Sequence, residues 1–195
     1  MPVLLPAELA WYVTGRFYCA PDGSLADFGY FLHLAGIGAD LFNGAPGAST
    51  AHFTFAARPF RADRIGNGGL SLALDTVGEF SIYLQLAPAG DFDDPGSFAR
   101  GECIATFRRT SMVVGTTVDG AATTQPPSPL ISSNVFSARL VQSALFEFAG
   151  RRHNLGQIIG HGVTQFGTAS TTPIATPTKP RDIVLPFSGS AIALG

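Results

Sequence analysis

Charge is scarce in this chain. Charged residues make up 13% of its 195 residues, against a usual share of about 25%. The net charge is −2, and the adjacent basic residues are the pairs Arg108-Arg109 and Arg151-Arg152. Nucleic-acid binding needs a basic stripe that faces the phosphates, and the sequence offers none. We therefore expect no nucleic-acid partner and a surface rich in Ser, Thr, Gly and Ala, or one partly covered by another subunit.

Cysteine is equally scarce, and Cys19 and Cys103 are too few for the disulfide framework of a small secreted protein. Both lie in strand-like runs, so buried apolar residues are the simpler interpretation, although a disulfide between them stays open. The sequence also lacks an Asn-x-Ser/Thr sequon, an apolar run near the ~18 residues of a membrane span, and a signal-like segment over 1–10. We expect no membrane segment and a cytoplasmic location.

Established catalytic and cofactor motifs are missing as well, among them GxSxG, HExxH, CxxC and the P-loop. The segment 36–41 begins like a dinucleotide fingerprint but lacks its third glycine and the strand-to-helix turn. None of the four histidines has zinc spacing, although a site assembled from different strands stays open. The run 91–94 favours an acidic turn over a calcium site. The sequence predicts no cofactor and no metal.

What the chain has instead is a regular alternation of apolar and polar residues, which is typical of strands. Residues 10–19 and 25–34 predict a first hairpin, and 50–57 predict a third strand. Residues 70–74 and 79–86 predict the strongest hairpin of the chain, because both alternate cleanly on either side of a short turn.

Further strands are predicted at 102–118, 135–148, 155–168 and 183–187. The first of these bends near Arg109, the second leaves a short helix open at 141–146, and the last is an edge strand whose pairing Pro186 limits. Two segments break the pattern. The Pro-rich stretch 119–133 predicts a long loop or lid, and the Thr/Pro-rich stretch 171–181 predicts extended chain.

About eight strands with Gly and Pro turns between them predict the all-β class, as a sandwich or a barrel. Closure into a barrel removes the exposed edges, which this weakly charged chain does not protect with Lys. We therefore predict a single antiparallel domain over 1–195, a closed β-barrel of roughly eight strands. The interior of such a barrel is wide enough for side chains or for one small ligand.

The polar minority on the strands supplies the candidate catalytic residues, which are His33, His52, Tyr83, Glu102 and Arg108. If their faces line the barrel, Glu102 or a histidine would act as acid or base, and Tyr83 and Arg108 would hold developing negative charge. Alternation alone does not tell which face is inside, so a solvent-facing polar set stays open. The 16 phenylalanines predict mostly core, or the walls of an apolar pocket.

The segments 51–55, 69–83 and 101–107 resemble the central strands of the allene oxide cyclase and dirigent-like barrels. The resemblance covers about a third of the 195 residues as a pattern of strands and turns, with no catalytic motif matched. It implies an allene oxide cyclase-like barrel of eight strands, and a lipocalin-like barrel is the alternative that the strand pattern leaves open. It also implies frequent oligomerisation and cofactor-free cyclisation or coupling of an apolar substrate. No catalytic residue is carried over.

Three functions stay open at this point. The first is a cofactor-independent cyclase or isomerase that holds an apolar, natural-product-type small molecule inside the barrel. The second is a non-catalytic carrier of a hydrophobic small molecule. The third is a structural or assembly protein whose low charge reflects subunit contacts, and a homo-oligomer is expected. An interior with convergent polar groups favours the first, a dry apolar cavity the second, and a filled barrel the third.

Overall fold

The structure is a computed structural model that describes residues 4–22, 24–57, 63–67, 70–75, 78–110, 113–119, 129–170, 172–177 and 183–195. Only the backbone is described for 63–67, 70–75, 113–119 and 129–132. The strands are β1 Leu9–Cys19, β2 Leu25–Leu34, β3 Phe53–Ala57, β4 Asp63–Asn67, β5 Leu70–Asp75, β6 Glu79–Leu84, β7 Glu102–Arg109, β8 Val113–Asp119, β9 Pro129–Ser143, β10 Leu145–Phe148, β11 Arg151–Asn154, β12 Gly162–Ala169 and β13 Ile183–Ala193. The α-helix α1 spans Leu155–Ile159.

Eight of these strands close into an antiparallel barrel. Their order around the wall is β1, β2, β3, β6, β7, β9, β12 and β13, and β13 pairs with β1 to close it. The predicted all-β, eight-stranded closed barrel is therefore confirmed. The long strand β9 pairs with β7 through its second half and with β8 through its first half. Strands β8, β5 and β4 thereby extend the sheet beyond the barrel.

The hairpin predicted from 70–74 and 79–86 is wrong. Strand β5 pairs with β4 and β8, whereas β6 pairs with β3 and β7. Strands β4 and β5 form an excursion between β3 and β6, which are neighbours in the barrel wall. Alternation identified both segments as strands, but it carries no information about which distant strand each one pairs with.

The segment 102–118, predicted as one bent strand, is two strands. Strand β7 belongs to the barrel and β8 to its extension, so the two have different partners apart from β9. The helix left open at 141–146 is also wrong, because β9 and β10 occupy that stretch. The helix lies instead at Leu155–Ile159, where strand was predicted. Its N-cap is Asn154, whose side chain accepts a hydrogen bond from the Gln157 N–H at 3.1 Å.

The last strand is longer than predicted and is not at an edge. Strand β13 lies between β1 and β12. It tolerates Pro186 because regular pairing with β12 ends at Ala169 and Phe187. Ser170 N–H still donates to the Pro186 carbonyl at 2.8 Å, and proline has no N–H to return.

Both ends of the predicted loop or lid at 119–133 are strand in the structure. Asp119 pairs with Pro129, and β9 begins there, so 129–133 are strand and 120–128 lie outside the described residues. In the predicted extended segment 171–181, Ile174 forms a single bridge to Val184, and Thr176 is buried. Residues 171 and 178–181 also lie outside the described residues. Cys19 and Cys103 are free thiols, so the disulfide left open is not formed.

Aromatic side chains fill the middle of the barrel. Trp11 packs edge-to-face on Phe31, Phe80 and Phe107, with ring centroids 5.8, 6.0 and 5.4 Å away. Phe80 and Phe107 stack on each other at 5.0 Å. The indole N–H of Trp11 donates to Gln165 Oε1 at 3.2 Å. These contacts come from strands on opposite sides of the wall, so the rings meet across the axis of the barrel.

One end of the barrel is closed by α1 and by the hairpin of β10 and β11. The apolar residues of α1 are buried at spacings of three and four, and they are Leu155, Ile158 and Ile159. Phe146 and Phe148 of the hairpin pack on Phe53 at 6.0 and 4.9 Å. Toward the other end Phe17 stacks on Phe187 at 4.3 Å. The apolar packing therefore continues along the length of the barrel.

Candidate functional site

The structure does not bring the five predicted catalytic residues together inside the barrel. His33 is exposed on the outer face, 6.4 Å from the ring of Tyr12. Glu102 is exposed at the start of β7. Arg108 is exposed and forms an ion pair with Glu79, with Nη2 and Oε1 2.8 Å apart. All three residues face solvent, His33 on β2 and Glu102 and Arg108 near opposite ends of β7.

Tyr83 and His52 are less exposed than the other three candidates. Tyr83 is half-buried on the outward face of β6, opposite Thr54 of β3. His52 is half-buried; its Nδ1 lies 2.8 Å from the Gln85 carbonyl oxygen and its ring 5.2 Å from that of Phe148. The catalytic roles of all five residues stay predictions, with no shared site among the described residues to support them.

The connection between β6 and β7 forms a covering over part of the outer face of the barrel. Thr54 Oγ1 donates to the Phe98 carbonyl at 2.6 Å, and Gln85 Nε2 donates to the Ser97 carbonyl at 2.9 Å. Tyr18 Oη donates to the Phe92 carbonyl at 2.7 Å. Burial raises the pKa of Tyr18 to about 12, against the opposing effect of Arg16. The outer face of β1 to β3 is therefore partly a second, smaller core.

The acidic turn at 91–94 belongs to this covering. Asp91 Oδ1 accepts a hydrogen bond from the Asp93 N–H at 2.8 Å, and Asp94 forms an ion pair with Arg100. Within the part of the chain that the structure describes, no three His, Cys, Asp or Glu side chains come together as a metal ion would need.

Arg109 is a buried polar residue that was not among the candidates predicted from the sequence. It is 8% exposed and shares the inward face of β7 with Phe107. Its guanidinium lies 4.9 Å over the Phe136 ring, and a Cβ at Gly78 would collide with its Nη1. Asp27 also lies on the inward side, opposite Phe17, and its Oδ1 is buried. Both lie toward the end of the barrel away from α1, and the parity with Phe107 was the available signal for Arg109.

Two surface grooves meet on the outside of the barrel at Leu32. The first has a volume of about 850 Å³ and follows the end of β2. It is lined by Leu32, His33, Leu34, Gly36, Gly38, Ala39, Asp40, Leu41 and Phe42. The second has a volume of about 440 Å³ and runs over β13. It is lined by Tyr12, Val13, Leu32, Phe166, Gly167, Thr168, Ser188, Gly189 and Ser190.

Exposed apolar side chains follow one register line across this outer wall. Ser190 of β13 lies between Tyr12 of β1 and Phe166 of β12, and Phe166 lies opposite Val135 of β9. Leu32 stands beside Tyr12 in the second groove. Tyr12, Leu32, Phe166 and Val135 are 49%, 46%, 47% and 38% exposed, which is high for apolar side chains of this size. We call these four residues the apolar strip.

Leu32 reaches the strip because of a β-bulge. The register between β1 and β2 shifts at Tyr12 and Val13, which pair with His33 and Phe31. Leu32 is therefore the extra residue, and both Leu32 and His33 are exposed while Phe31 and Leu34 are buried.

Comparisons with protein-family models, with curated proteins and with solved structures find no match for this chain. The resemblance to the allene oxide cyclase and dirigent-like barrels therefore stays a prediction. Among the described residues, no helix is both long and apolar enough to cross a membrane.

Proposed function

We propose that this protein is an interaction and assembly protein, which binds another protein chain through the apolar strip. One observation carries the proposal: the barrel interior is occupied by its own aromatic side chains. A small-molecule site needs a cavity of roughly 300–1,000 Å³. At the level of Trp11, however, four rings meet across the barrel with centroids 5.0–6.0 Å apart, which is the spacing of packed aromatic pairs.

The apolar strip gives the proposal a surface. The four side chains together expose roughly 300 Å² of mostly apolar area, the size of patch that is often functional on a monomer. Burial of that area would contribute about 7 to 8 kcal/mol at roughly 25 cal/mol per Å². Association costs about 4–15 kcal/mol before any contact is gained. The strip is thus large enough to be the centre of an interface.

A cofactor-free cyclase or isomerase is the second candidate, and the inward placement of Arg109 and Asp27 favours it. Two polar groups near one end of the barrel could orient a small apolar substrate there. Native mass spectrometry of the purified chain separates the two candidates. We expect each chain of 20.4 kDa, alone or in an assembly, to carry no additional mass, and a co-purifying small molecule would favour the enzyme or the carrier instead.

The proposal is tested in extracts of cells that produce the full chain. We expect the wild type to elute from a sizing column in a complex larger than 20.4 kDa. The double variant Tyr12→Ser with Phe166→Ser should elute alone. Leu86→Ser is the matched control, because Leu86 is 73% exposed but lies off the strip. A complex that survives the double variant, or a wild type that elutes alone, would contradict the proposal.

A further inference from the structure

We infer that the partner on the apolar strip is a second copy of this chain, bound face to face about a twofold axis. The inference rests on the proposed function, since it names the occupant of the same surface. It is argued from the shape of the wall, its charge and its area.

The wall has a ridge and a valley of matching size. The ridges are Tyr12 and Phe166, and the valley between them is floored by Ser190 of β13. The ridges lie two strand spacings apart, or about 10 Å, which admits one aromatic ring edge-on. A twofold contact requires one surface to complement itself. Here Phe166 of each copy can enter the valley of the other.

The charge of the wall fits a second copy better than a charged partner. None of the described residues that line the second groove is charged. Burial of a charged partner residue here would leave that charge without compensation and cost several kcal/mol. A second copy brings the same uncharged face, and its net charge of −2 produces little repulsion at physiological salt.

The area also suits a face-to-face dimer. A standard interface buries roughly 800 Å² on each partner. The roughly 300 Å² of the apolar strip would form its centre, and the surface around the strip would supply the rest. Uncharged side chains flank the strip on both sides. They are Thr14, Ser188 and Thr168 on one side and Ser137, Thr164 and Ile192 on the other. An apolar centre with a mostly polar rim is the anatomy of protein interfaces.

Sedimentation velocity of the purified full chain, from about 1 to 100 μM, tests the inference. We expect a reversible dimer of twice the 20.4 kDa chain mass. Phe166→Ser should weaken it by about two to three orders of magnitude in Kd, because both copies lose a ring. Leu86→Ser should leave Kd unchanged.

A second variant tests the fit of ridge into valley. Ser190→Trp adds apolar surface but fills the valley, so it should weaken the dimer, whereas unspecific stickiness would strengthen it. Circular dichroism and thermal unfolding establish that each variant is folded.

A wild type that sediments at 20.4 kDa throughout this range would overturn the inference, as would a dimer that Phe166→Ser and Ser190→Trp leave intact. If the strip instead binds a different protein, the larger complex in cell extracts would still be lost in the strip variants. Its absence from the extracts would refute the proposed function itself.

Discussion

Phe107→Ala tests whether the barrel is solid. Phe107 is fully buried, and its ring centroid lies 5.4 Å from that of Trp11 and 5.0 Å from that of Phe80. The loss of the ring removes about 2 kcal/mol of transfer free energy. It leaves a cavity of roughly 100 Å³, which costs about 2 kcal/mol more. We therefore expect Phe107→Ala to lower the free energy of unfolding by about 4 kcal/mol.

Urea unfolding measures this change, with fluorescence of the chain's single tryptophan, Trp11, as the probe. The measurement is made in the Phe166→Ser background, so that self-association does not add to the stability. The midpoint should fall while the m-value stays constant. The matched control Leu86→Ala, at an exposed site, should change stability by less than about 0.5 kcal/mol.

A loss below about 1.5 kcal/mol for Phe107→Ala would refute the reasoning, because it would mean that the ring already borders open space. A chamber for a small molecule would then exist next to Trp11. The cyclase and carrier interpretations would regain the space that they need, and the proposed function would lose its main support.

Three other substitutions probe single features of the fold. His153 is 4% exposed, stacks on Phe146 at 5.5 Å between ring centroids, and has no hydrogen-bond partner for either ring nitrogen among the described residues. We expect His153→Phe to raise the free energy of unfolding, measured in urea, by about 1–2 kcal/mol. The raised pKa of Tyr18, about 12, means that the unfolded chain loses this proton first. Stability should therefore fall as pH rises from about 10 to 12, and the fall should be smaller in Tyr18→Phe. A Cβ at Gly29 would lie 2.6 Å from the Gly15 Cα, so Gly29→Ala should cost about 2–3 kcal/mol in urea unfolding, whereas Gly47→Ala, whose nearest neighbour lies at 3.8 Å, should be nearly neutral. A smaller cost at Gly29 than at Gly47 would contradict the close approach of β1 and β2.

The sequence contained enough to predict strands and a barrel, because alternation reports a local property of each segment. It did not contain the pairing of β6, because β3 and β7 were predicted as strands but not as its neighbours. Residues 70–74 are nearer along the chain and alternate equally well, so alternation alone favours them as the partner of β6. In the structure, Phe80 of β6 pairs instead with Ala57 of β3 and with Phe107 of β7.

The candidate site failed to assemble for a related reason. Alternation gives two faces but not which one is inside, and the packed face proved to be that of Phe80, Ile82 and Leu84. The same parity places Arg109 inward and Arg108 outward. The predicted catalytic residue Arg108 is therefore exposed, and its neighbour Arg109 is the buried arginine. The bulge at Leu32 was equally hidden, because a register shift depends on the partner strand.

The low share of charged residues is visible in the structure as an outer wall whose second groove is lined by uncharged residues. Folding of the barrel requires only its inward face to be apolar, and that requirement is met by residues such as Trp11 and Phe107. It does not explain why Tyr12 and Phe166 stand half-exposed on a wall without charged groups along the second groove. Residues of this kind contribute little to the stability of the monomer and much to association. A substitution such as Phe166→Ser should therefore separate the two properties, with a small change in the unfolding of the monomer and a large change in the dimer.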